Sequence, residues 1–410
     1  MRFNMNIGTV AIALAALIAC QNVNPAYAGH HPLPQILENV KTFGAMGDGV
    51  TDDTAAMQNA ANNALLTHRG LLFPPGTYLH AGIVSFNGIA VSGSGNASVL
   101  LAADPNNSAV LLTGSNASIQ NIVVSTAGLG PATPAPATST LLVQNANSFT
   151  VANDTIVQGV GRIGVDVVNS SVGLVNACVF DGSGSTSDIG VDVGQSHNVS
   201  VTNNLFQNEG TGIFVSPVSP TCQSIALLSN TIGNVTFPTY AFGIDAEGTS
   251  SLDIAQNTIQ MVSSSFGIAI WAHNDDSFNV SNNNTWGGQV GVRAEGSGPS
   301  GNLVTQNILH NCGMQGITAL NFSTSAVQIN SNVFGECGLN DTGTSIFNAV
   351  ILVAGDAASG VNTFVQNNSY QGHLNGLDDY ITCEFTTPHI PPGNVSGNTT
   401  TQTPGLPNNI

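Results

Sequence analysis

A degenerate repeat of 23 to 36 residues runs through most of this 410-residue chain and restricts the folds that it can adopt. Each repeat contains a turn, usually marked by Asn, that is followed by an apolar residue. These turns recur as Asp154-Thr155-Ile156, Ala177-Cys178-Val179, Asn204-Leu205-Phe206, Asn230-Thr231-Ile232, Asn257-Thr258-Ile259, Asn284-Thr285-Trp286, Asn307-Ile308-Leu309, Asn332-Val333-Phe334 and Asn368-Ser369-Tyr370. Repeats of this length are typical of solenoids, in which each unit packs only against its neighbours.

A second line of the repeat is a glycine followed by a strand of alternating apolar residues. It recurs as Gly164-Val165-Asp166-Val167, Gly190-Val191-Asp192-Val193, Gly212-Ile213-Phe214-Val215, Gly243-Ile244-Asp245-Ala246, Gly267-Ile268-Ala269-Ile270, Gly291-Val292-Arg293-Ala294 and Gly316-Ile317-Thr318-Ala319. Short β-branched strands without helical periodicity predict an all-β fold, a parallel β-helix. We place the β-helix domain at residues 29–385 and an irregular tail at 386–410. Asn at matching turns can bond the Asn one coil above, so we assign that line to the scaffold.

The first 28 residues are predicted to be an export signal. Arg2 precedes an apolar run over residues 7–19, and Ala26-Tyr27-Ala28 is typical of a cleavage site. A second interpretation is a lipoprotein signal that ends at residue 19 and leaves a lipidated Cys20 on the outer membrane. Both interpretations predict secretion to the periplasm or the cell exterior, and no later segment is typical of a transmembrane helix.

One helix is predicted, over residues 53–68, just before the first coils. Asp52-Asp53-Thr54 supplies acidic and polar residues at the positive helix end, and Gly70 is a suitable stop. Its apolar residues recur at helical spacing: Met57, Ala60, Ala61, Ala64 and Leu65. An amphipathic helix at this place is expected to cap the open end of the solenoid.

The sequence around this helix resembles the N-terminal signature of the pectate lyase superfamily, in particular its rhamnogalacturonase-like and epimerase-like branch. The signature reads VKTFGAMGDGVTDDTAA at residues 40–56 and FPPGTY at residues 73–78, and it departs at Met46, where the family often has Lys. The resemblance implies a right-handed parallel β-helix with an N-terminal capping helix. It also implies action on extracellular polysaccharides by hydrolysis, β-elimination or epimerisation, although some members are phage tail spikes.

Charge limits the partners of such a protein. The chain has 5 Lys and Arg against 23 Asp and Glu, which gives a formal net charge of −18. Such a chain has no basic stripe for phosphates, so nucleic acid is excluded as a partner. A polyanionic substrate would also be repelled unless Ca²⁺ bridged it.

Outward-facing residues of the Gly-strand line predict where chemistry could occur. The first predicted column is Asp166, Asp192, Phe214, Asp245, Ala269, Arg293, Thr318. The second predicted column is Val168, Gly194, Ser216, Glu247, Trp271, Glu295, Leu320. The columns bring rare residue types together in one patch, which we call the Trp271 patch: Asp245, Glu247, Trp271, His273, Arg293 and Glu295.

Two carboxylate pairs are candidates for glycoside hydrolysis, which needs one protonated and one ionised carboxyl group. Glu247 and Glu295 lie two coils apart, ~9.6 Å, near the upper end of the inverting range. Asp245 and Arg293 are expected to assist them, while Trp271, His273 and Phe214 are expected to bind substrate. The second choice is Asp166 with Asp192, one coil apart at ~4.8 Å, although outward acids on a solenoid are also common without any function.

The remaining predictions concern the cysteines and the acidic turns that could bind a metal ion. Cys312 and Cys337 occupy equivalent places in consecutive units, which predicts a disulfide. Cys178 is expected to be a packed core thiol. No cofactor is required, but Asp275-Asp276 or Asp378-Asp379 could hold Ca²⁺.

The sequence therefore predicts a secreted β-helix enzyme that cleaves glycosidic bonds with a carboxylate pair. One alternative is a Ca²⁺-assisted polysaccharide lyase or a uronate epimerase, with Arg293 as the cationic participant. Another alternative is a non-catalytic glycan-binding or structural surface β-helix, which the low charge and the Asn line also suit.

Overall fold

Three stacks of parallel strands, here called sheets A, B and C, form the solenoid, and from β5 onwards the chain visits them in that order in each coil. A computed structural model describes residues 36–130, 138–218, 221–235, 241–261, 267–296, 301–322, 325–337, 349–354, 362–370, 379–383 and 390–400. The predicted signal peptide and Cys20 lie outside these residues. The parallel β-helix predicted from the repeat is confirmed.

The strands are numbered in chain order. Sheet A contains β5 (Val84–Asn87), β8 (Val110–Ser115), β11 (Ser139–Asn147), β14 (Ile163–Val168), β17 (Ile189–Gly194), β20 (Thr211–Ser216), β23 (Ala241–Glu247), β26 (Gly267–Asp275), β29 (Val290–Gly296), β32 (Gln315–Leu320), β35 (Ala349–Ala354) and β38 (Asp379–Cys383). Sheet B contains β1 (Leu37–Asn39), β3 (Gly70–Leu72), β6 (Ala90–Ser92), β9 (Ser118–Gln120), β12 (Thr150–Ala152), β15 (Ser171–Asn176), β18 (His197–Thr202), β21 (Gln223–Leu228), β24 (Leu252–Ala255), β27 (Phe278–Ser281), β30 (Asn302–Thr305), β33 (Val327–Asn330), β36 (Thr363–Gln366) and β39 (Val395–Ser396). Sheet C contains β2 (Asp48–Asp52), β4 (Gly76–His80), β7 (Ser98–Ala102), β10 (Val123–Ser125), β13 (Thr155–Val157), β16 (Val179–Asp181), β19 (Leu205–Gln207), β22 (Thr231–Val235), β25 (Thr258–Met261), β28 (Asn284–Trp286), β31 (Ile308–His310), β34 (Val333–Gly335), β37 (Ser369–Tyr370) and β40 (Thr399–Thr400).

Alternation along each strand separates the core from the surface. In β14, Val165 and Val167 are fully buried whereas Asp166 between them is half-buried, and the adjacent strand β17 repeats the pattern. Burying one Val or Ile side chain stabilises the fold by about 1.5–3 kcal/mol, and stacking the coils extends this apolar core along the solenoid.

The helix α1 (Thr54–Thr67) lies where the sequence predicts it and packs against β1, β3 and β5. Two details differ from the prediction. Asp53 does not cap the helix with its side chain; its carboxylate instead accepts hydrogen bonds from the amides of Met46 (2.7 Å) and Gly47 (3.0 Å) in the preceding loop. The helix ends at His68 in a left-handed conformation, because Gly70 already begins β3. Short 3₁₀ turns cover Val40–Phe43 and Pro392–Asn394.

A ladder of buried side chains runs along the corner between sheets B and C. Each Asn donates through Nδ2 to a carbonyl of the preceding coil, and each except the last, Asn398, also donates to the Oδ1 of the next Asn. The ladder comprises Asn204, Asn230, Asn257, Asn283, Asn307, Asn332, Asn368 and Asn398. This confirms the structural role assigned to the Asn line, since buried amides must be hydrogen-bonded.

The ladder corrects the sequence alignment at two coils. Asn283 occupies the ladder, not Asn284, which is exposed at the start of β28, and Cys178 stands at the ladder position instead of Ala177. In these coils the residue just before the ladder position has the left-handed backbone, as Asn282 and Ala177 do. The Asn side chains are therefore used for hydrogen bonding, not for their tolerance of a left-handed conformation.

The coil also continues past the predicted boundary at residue 385. Strand β39 pairs with β36, strand β40 pairs with β37, and Asn398 extends the ladder. The segment predicted to be an irregular tail therefore contains a further turn of the solenoid within residues 390–400.

Asp154 occupies a ladder position with a carboxyl group in place of an amide. Its Oδ1 accepts from the Ile122 amide (2.9 Å), whereas its Oδ2 has no hydrogen-bond partner among the described residues. Burial raises the pKa of Asp154 to about 8. The native state thus holds a proton that the unfolded chain releases above its ordinary pKa of 3.8, so this contribution to stability is lost as pH rises from about 4 to 8.

Asp154→Asn should therefore raise the melting temperature at pH 7 to 8 by several degrees, because it replaces a buried acid with the amide used elsewhere in the ladder. The gain should shrink towards pH 4. Thermal unfolding of both proteins from pH 4 to 8 measures it, with Asp276→Asn, at an exposed position, as the matched control. A gain that does not depend on pH would show that Asp154 is not protonated in the native state.

Cys312 and Cys337 lie in consecutive coils, fully buried, with their Sγ atoms 2.7 Å apart. The structure holds them as two thiols, so the placement is as predicted but the disulfide is not present. Cys178 is buried and burial raises its pKa to about 12, which confirms a packed core thiol.

Mild oxidation should close the bridge between Cys312 and Cys337, because the sulfur atoms are already adjacent. A loop of this length should add about 3 kcal/mol of stability. Mass spectrometry after alkylation in denaturant, with and without prior reduction, should show two fewer alkylated thiols in the unreduced sample. Cys312→Ser should abolish that difference, and full alkylation of unreduced wild type would contradict the prediction.

Candidate functional site

Outward side chains of six adjacent strands form one continuous row on sheet A. Strands β14, β17, β20, β23, β26 and β29 pair in register through these residues: Asp166, Asp192, Phe214, Asp245, Trp271 and Arg293. The row contains five of the seven residues of the predicted first column, with Trp271 in place of Ala269, and Thr318 of β32 follows Arg293 in register. A substrate chain lying along the solenoid would meet these side chains one after another.

The position of Trp271 is a correction. The sequence alignment puts Ala269 in the first column and Trp271 in the second, but Trp271 lies between Asp245 and Arg293. The cause is that Ala269 takes the place of the repeat glycine beside Gly243. The glycine used in the sequence alignment, Gly267, lies two residues earlier and pairs with Ala241 at the start of β23.

The Trp271 patch is assembled as predicted, with His273 at its centre. In register, His273 lies directly between Glu247 and Glu295, and its Nε2 is 2.9 Å from the Asp245 Oδ1. The Nδ1 of His273 is 3.8 Å from the Glu247 Oε1. The imidazole thus stands on the strand between the two carboxylates that the sequence favours as the catalytic pair.

Both glutamates of the patch are also held by amides. Asn274 donates to the Glu247 Oε1 (2.9 Å) and Asn321 donates to the Glu295 Oε1 (2.8 Å). These two Asn side chains were missed from the sequence. Both have a left-handed backbone, Asn274 near the end of β26 and Asn321 just after β32, and an Asn at such a position was the available signal. These hydrogen bonds hold both carboxylates in place and suit a structural role.

The Trp271 indole, which was predicted to bind substrate, contacts two neighbouring side chains of the patch. It stacks on the His273 ring at a centroid distance of 4.1 Å, and the Arg293 guanidinium lies 4.6 Å from its ring centroid. The Arg293 guanidinium also lies 3.4 Å from the Glu295 Oε2, while Asp245 is bound to His273. The patch residues therefore contact one another, although the Trp271 Nε1 and the Arg293 Nε have no hydrogen-bond partner among the described residues.

The Asp166–Asp192 pair differs from the Trp271 patch. The two residues are direct partners on neighbouring strands, and the Asp192 Oδ1 has no hydrogen-bond partner within the described part of the chain. Burial, and then the charge of Asp192, raise the pKa of Asp166 to about 7. Burial raises the pKa of Asp192 to about 6 despite a hydrogen bond from the Ser216 hydroxyl. One proton can therefore be shared between the two carboxyl groups near neutral pH.

A buried arginine lies at the start of the strand that carries Asp166. Arg162, just before β14, is fully buried and donates to the carbonyl oxygens of Pro105, Asn107 and Gly130. It therefore holds the backbone at these positions against the start of β14. Residues 131–137, which follow Gly130, lie outside the described residues.

The acidic pairs that could hold Ca²⁺ form no such site among the described residues. Asp275 is buried and accepts from the Thr249 amide (2.7 Å) and hydroxyl (2.8 Å), whereas the neighbouring Asp276 is exposed. Asp378 lies outside the described residues. Where the structure describes the chain, no three His, Cys, Asp or Glu side chains are grouped as metal ligands, and no helix is long and apolar enough to span a membrane.

Comparison with known proteins gives one family match in the first half of the chain. Residues 37–236 match the model of the Rhamnogalacturonase A/epimerase, pectate lyase-like family, which is the resemblance that the signature predicts. No curated protein sequence matches.

Solved structures similar to this chain are β-helix proteins with different activities. The catalytic unit of a GH87 alpha-1,3-glucanase from Streptomyces thermodiastaticus is 16% identical, with a TM-score of 0.57 over 92% of this chain and 69% of that chain. The adhesin PfbA of Streptococcus pneumoniae is 15% identical, with a TM-score of 0.54 over 89% and 97%. The N-terminal fragment of bacteriophage Phi29 gene product 12 is 15% identical, with a TM-score of 0.58 over 90% and 71%. These similarities establish the shared fold.

Proposed function

We propose that this protein hydrolyses glycosidic bonds of a polysaccharide, with Asp166 and Asp192 as the two catalytic carboxyl groups. The supporting observation is that these half-buried acids are direct register partners whose pKa values lie at about 7 and about 6. A glycosidase needs one protonated and one ionised carboxyl group at its working pH, and this pair supplies both near neutrality.

The roles follow from the two environments. Asp166, with the higher pKa, protonates the leaving oxygen of the scissile bond as that bond breaks. Asp192, whose pKa of about 6 leaves it ionised at neutral pH, attacks the anomeric carbon; water, deprotonated by Asp166, then releases the sugar and restores Asp192. Adjacent strands lie ~4.8 Å apart, the spacing associated with such a retaining mechanism rather than with an inverting one.

The rest of the row suits a substrate chain. Phe214 follows Asp192 in register and offers a half-buried apolar ring next to the reacting groups, with Asp245 beyond it. The formal charge of −18 disfavours a polyanion, so a neutral glycan is the substrate class that we propose. The glucanase with the same fold supports this class, since its name places it on a neutral glucan.

The pair favoured by sequence, Glu247 with Glu295, is less suited to this task. The imidazole of His273 stands between the two residues in register, and each carboxylate already accepts an amide hydrogen bond. We therefore assign the Trp271 patch, with its Arg293, a supporting role in the same row as the Asp166–Asp192 pair, and not catalysis. A Ca²⁺-assisted lyase, an epimerase and a non-catalytic rod remain as outcomes of the test.

The test is incubation of the protein with neutral and uronate-rich polysaccharides, with Ca²⁺ and with a chelator. New reducing ends and the ultraviolet absorbance of unsaturated uronate are followed together. We expect reducing ends on a neutral glycan, without absorbance and without an effect of the chelator. Chelator-sensitive absorbance would replace the hydrolase with a lyase, and inactivity on every glycan would favour the binding rod or an epimerase.

A further inference from the structure

Sheet C carries an exposed aromatic surface that the proposed active site on sheet A does not use. Trp286 of β28 is 50% exposed, and its register partners on the adjacent strands are Gln260 and His310. A shallow groove of about 270 Å³ lies beside the indole. We call this groove the Trp286 surface; its outward-facing residues are Thr258, Gln260, Asn284 and Trp286.

The indole is held in place along one edge. With the Asn311 amide oriented by its neighbours, the Trp286 Nε1–H donates to the Asn311 Oδ1 (3.2 Å), and Asn311 donates to the Glu336 Oε2 (3.1 Å). The His310 ring packs against the indole at a centroid distance of 5.3 Å. These contacts fix the ring while half of it stays exposed, which lowers the entropic cost of binding a ligand.

The residues around the indole suit a neutral, polar ligand. Gln260 and Asn284 are exposed amides, and Thr258 adds a hydroxyl, so the groove offers hydrogen-bond donors and acceptors without charge. Ile308, which is 41% exposed, adds apolar surface next to Asn284. An aromatic face flanked by uncharged hydrogen-bonding groups matches a sugar ring, which has apolar C–H faces and a polar rim of hydroxyls.

Negative charge on the protein disfavours anionic glycans at this surface. The Glu336 carboxylate accepts a hydrogen bond from Asn311, which itself contacts the indole, and the chain as a whole carries a formal charge of −18. Both would repel a uronate or sulfated chain, whereas a neutral chain meets no such penalty.

We propose that the Trp286 surface is a second, non-catalytic binding site for a neutral polysaccharide. It lies on sheet C, whereas Asp166 and Asp192 lie on sheet A, so a glycan held there anchors the protein without entering the active site. This proposal does not depend on hydrolysis, since a pure adhesin could use the same surface.

The test is affinity electrophoresis through native gels that contain soluble α-glucan, β-glucan, xylan or galactomannan, with polygalacturonate as the anionic comparison. Asp166→Asn serves as the parent protein, so that no glycan is cleaved. We expect at least one neutral glycan to retard this parent, and Trp286→Ala to weaken the retardation tenfold or more. Leu66→Ala, which removes a side chain that is 78% exposed on α1, is the matched control and should migrate like the parent.

Fluorescence adds an independent readout, because the chain has only two tryptophans. In a Trp271→Phe variant, Trp286 is the sole indole, and oligosaccharides of the retarding glycan should shift or quench its emission. Three results would overturn the proposal: no neutral glycan retards the parent, Trp286→Ala migrates like the parent, or polygalacturonate alone retards it. Sedimentation showing a dimer that Trp286→Ala dissociates would assign the surface to a second copy of the chain instead.

Discussion

Replacing Asp166 or Asp192 by asparagine should lower the rate of glycan hydrolysis by about 10²- to 10⁴-fold, the contribution usual for a general acid or base. Asn keeps the shape of the side chain, but at position 166 it cannot transfer the proton and at position 192 it cannot attack the anomeric carbon. The loss should appear in kcat for both variants, because the other side chains of the row are unchanged. Initial rates of reducing-end formation on the glycan identified for the wild type measure the effect.

Matched variants in the Trp271 patch separate this assignment from the one that the sequence favours. Glu247→Gln and Glu295→Gln also remove one carboxylate each, but we expect them to keep activity within about tenfold, since these groups lie outside the reacting pair. Both Asp variants should fold, because removing a buried acid relieves a desolvation penalty. The reverse ranking, with the Glu variants inactive and the Asp variants active, would return the active site to the Trp271 patch.

Asn283→Ala should be the most destabilising single change discussed for this chain, with a loss of about 3 to 6 kcal/mol. The Asn283 Nδ2 donates to the Ile254 carbonyl (2.8 Å) and to the Asn307 Oδ1 (3.0 Å). The Asn283 Oδ1 accepts from both the backbone amide and the Nδ2 of Asn257 (2.9 and 3.0 Å). Alanine would leave these groups buried with fewer partners, and each unmet group costs about 1–3 kcal/mol. Urea unfolding followed by circular dichroism measures the loss.

The neighbouring residue provides the control for that experiment. Asn284 is the residue that the sequence alignment assigns to the Asn line, but its side chain is exposed. Asn284→Ala should change the free energy of unfolding by less than about 0.5 kcal/mol. Equal losses in the two variants would mean that the ladder contributes little, and a larger loss for Asn284→Ala would restore the sequence alignment.

The sequence predicts the architecture well because the same alternation of apolar and polar residues recurs from coil to coil. Alternation around Asp166 and Asp192 gives the correct inward and outward faces, and equal strand positions give the correct register for most of the row. The alignment fails at Trp271 and at Asn283, where the chain departs from the repeat: Ala269 stands in for the glycine, and Asn282, Asn283 and Asn284 follow one another. A repeat pattern alone does not decide between alignments of the coils that differ by one or two residues.

The choice between the two carboxylate pairs required the structure for a different reason. Rare residue types drew attention to Trp271 and Arg293, but rarity says nothing about hydrogen-bond partners. The hydrogen bond between His273 and Asp245 and the amides bound to Glu247 and Glu295 are contacts between coils, and the burial that raises the pKa of Asp166 depends on the same packing. Such contacts join residues more than 20 positions apart, beyond the reach of local periodicity.

The pair itself can be tested most directly by ¹³C NMR titration of protein labelled at the aspartate side-chain carboxyl carbons. Asp166→Asn and Asp192→Asn spectra assign the two resonances and separate them from other buried aspartates such as Asp154. We predict that both groups titrate between pH 5 and 8, as a coupled pair, and that Asp192→Asn lowers the pKa of Asp166 by removing its neighbouring charge. If both carboxyl groups instead titrate near 4, and independently of each other, the Asp166–Asp192 pair is an ordinary surface feature and the proposed mechanism is wrong.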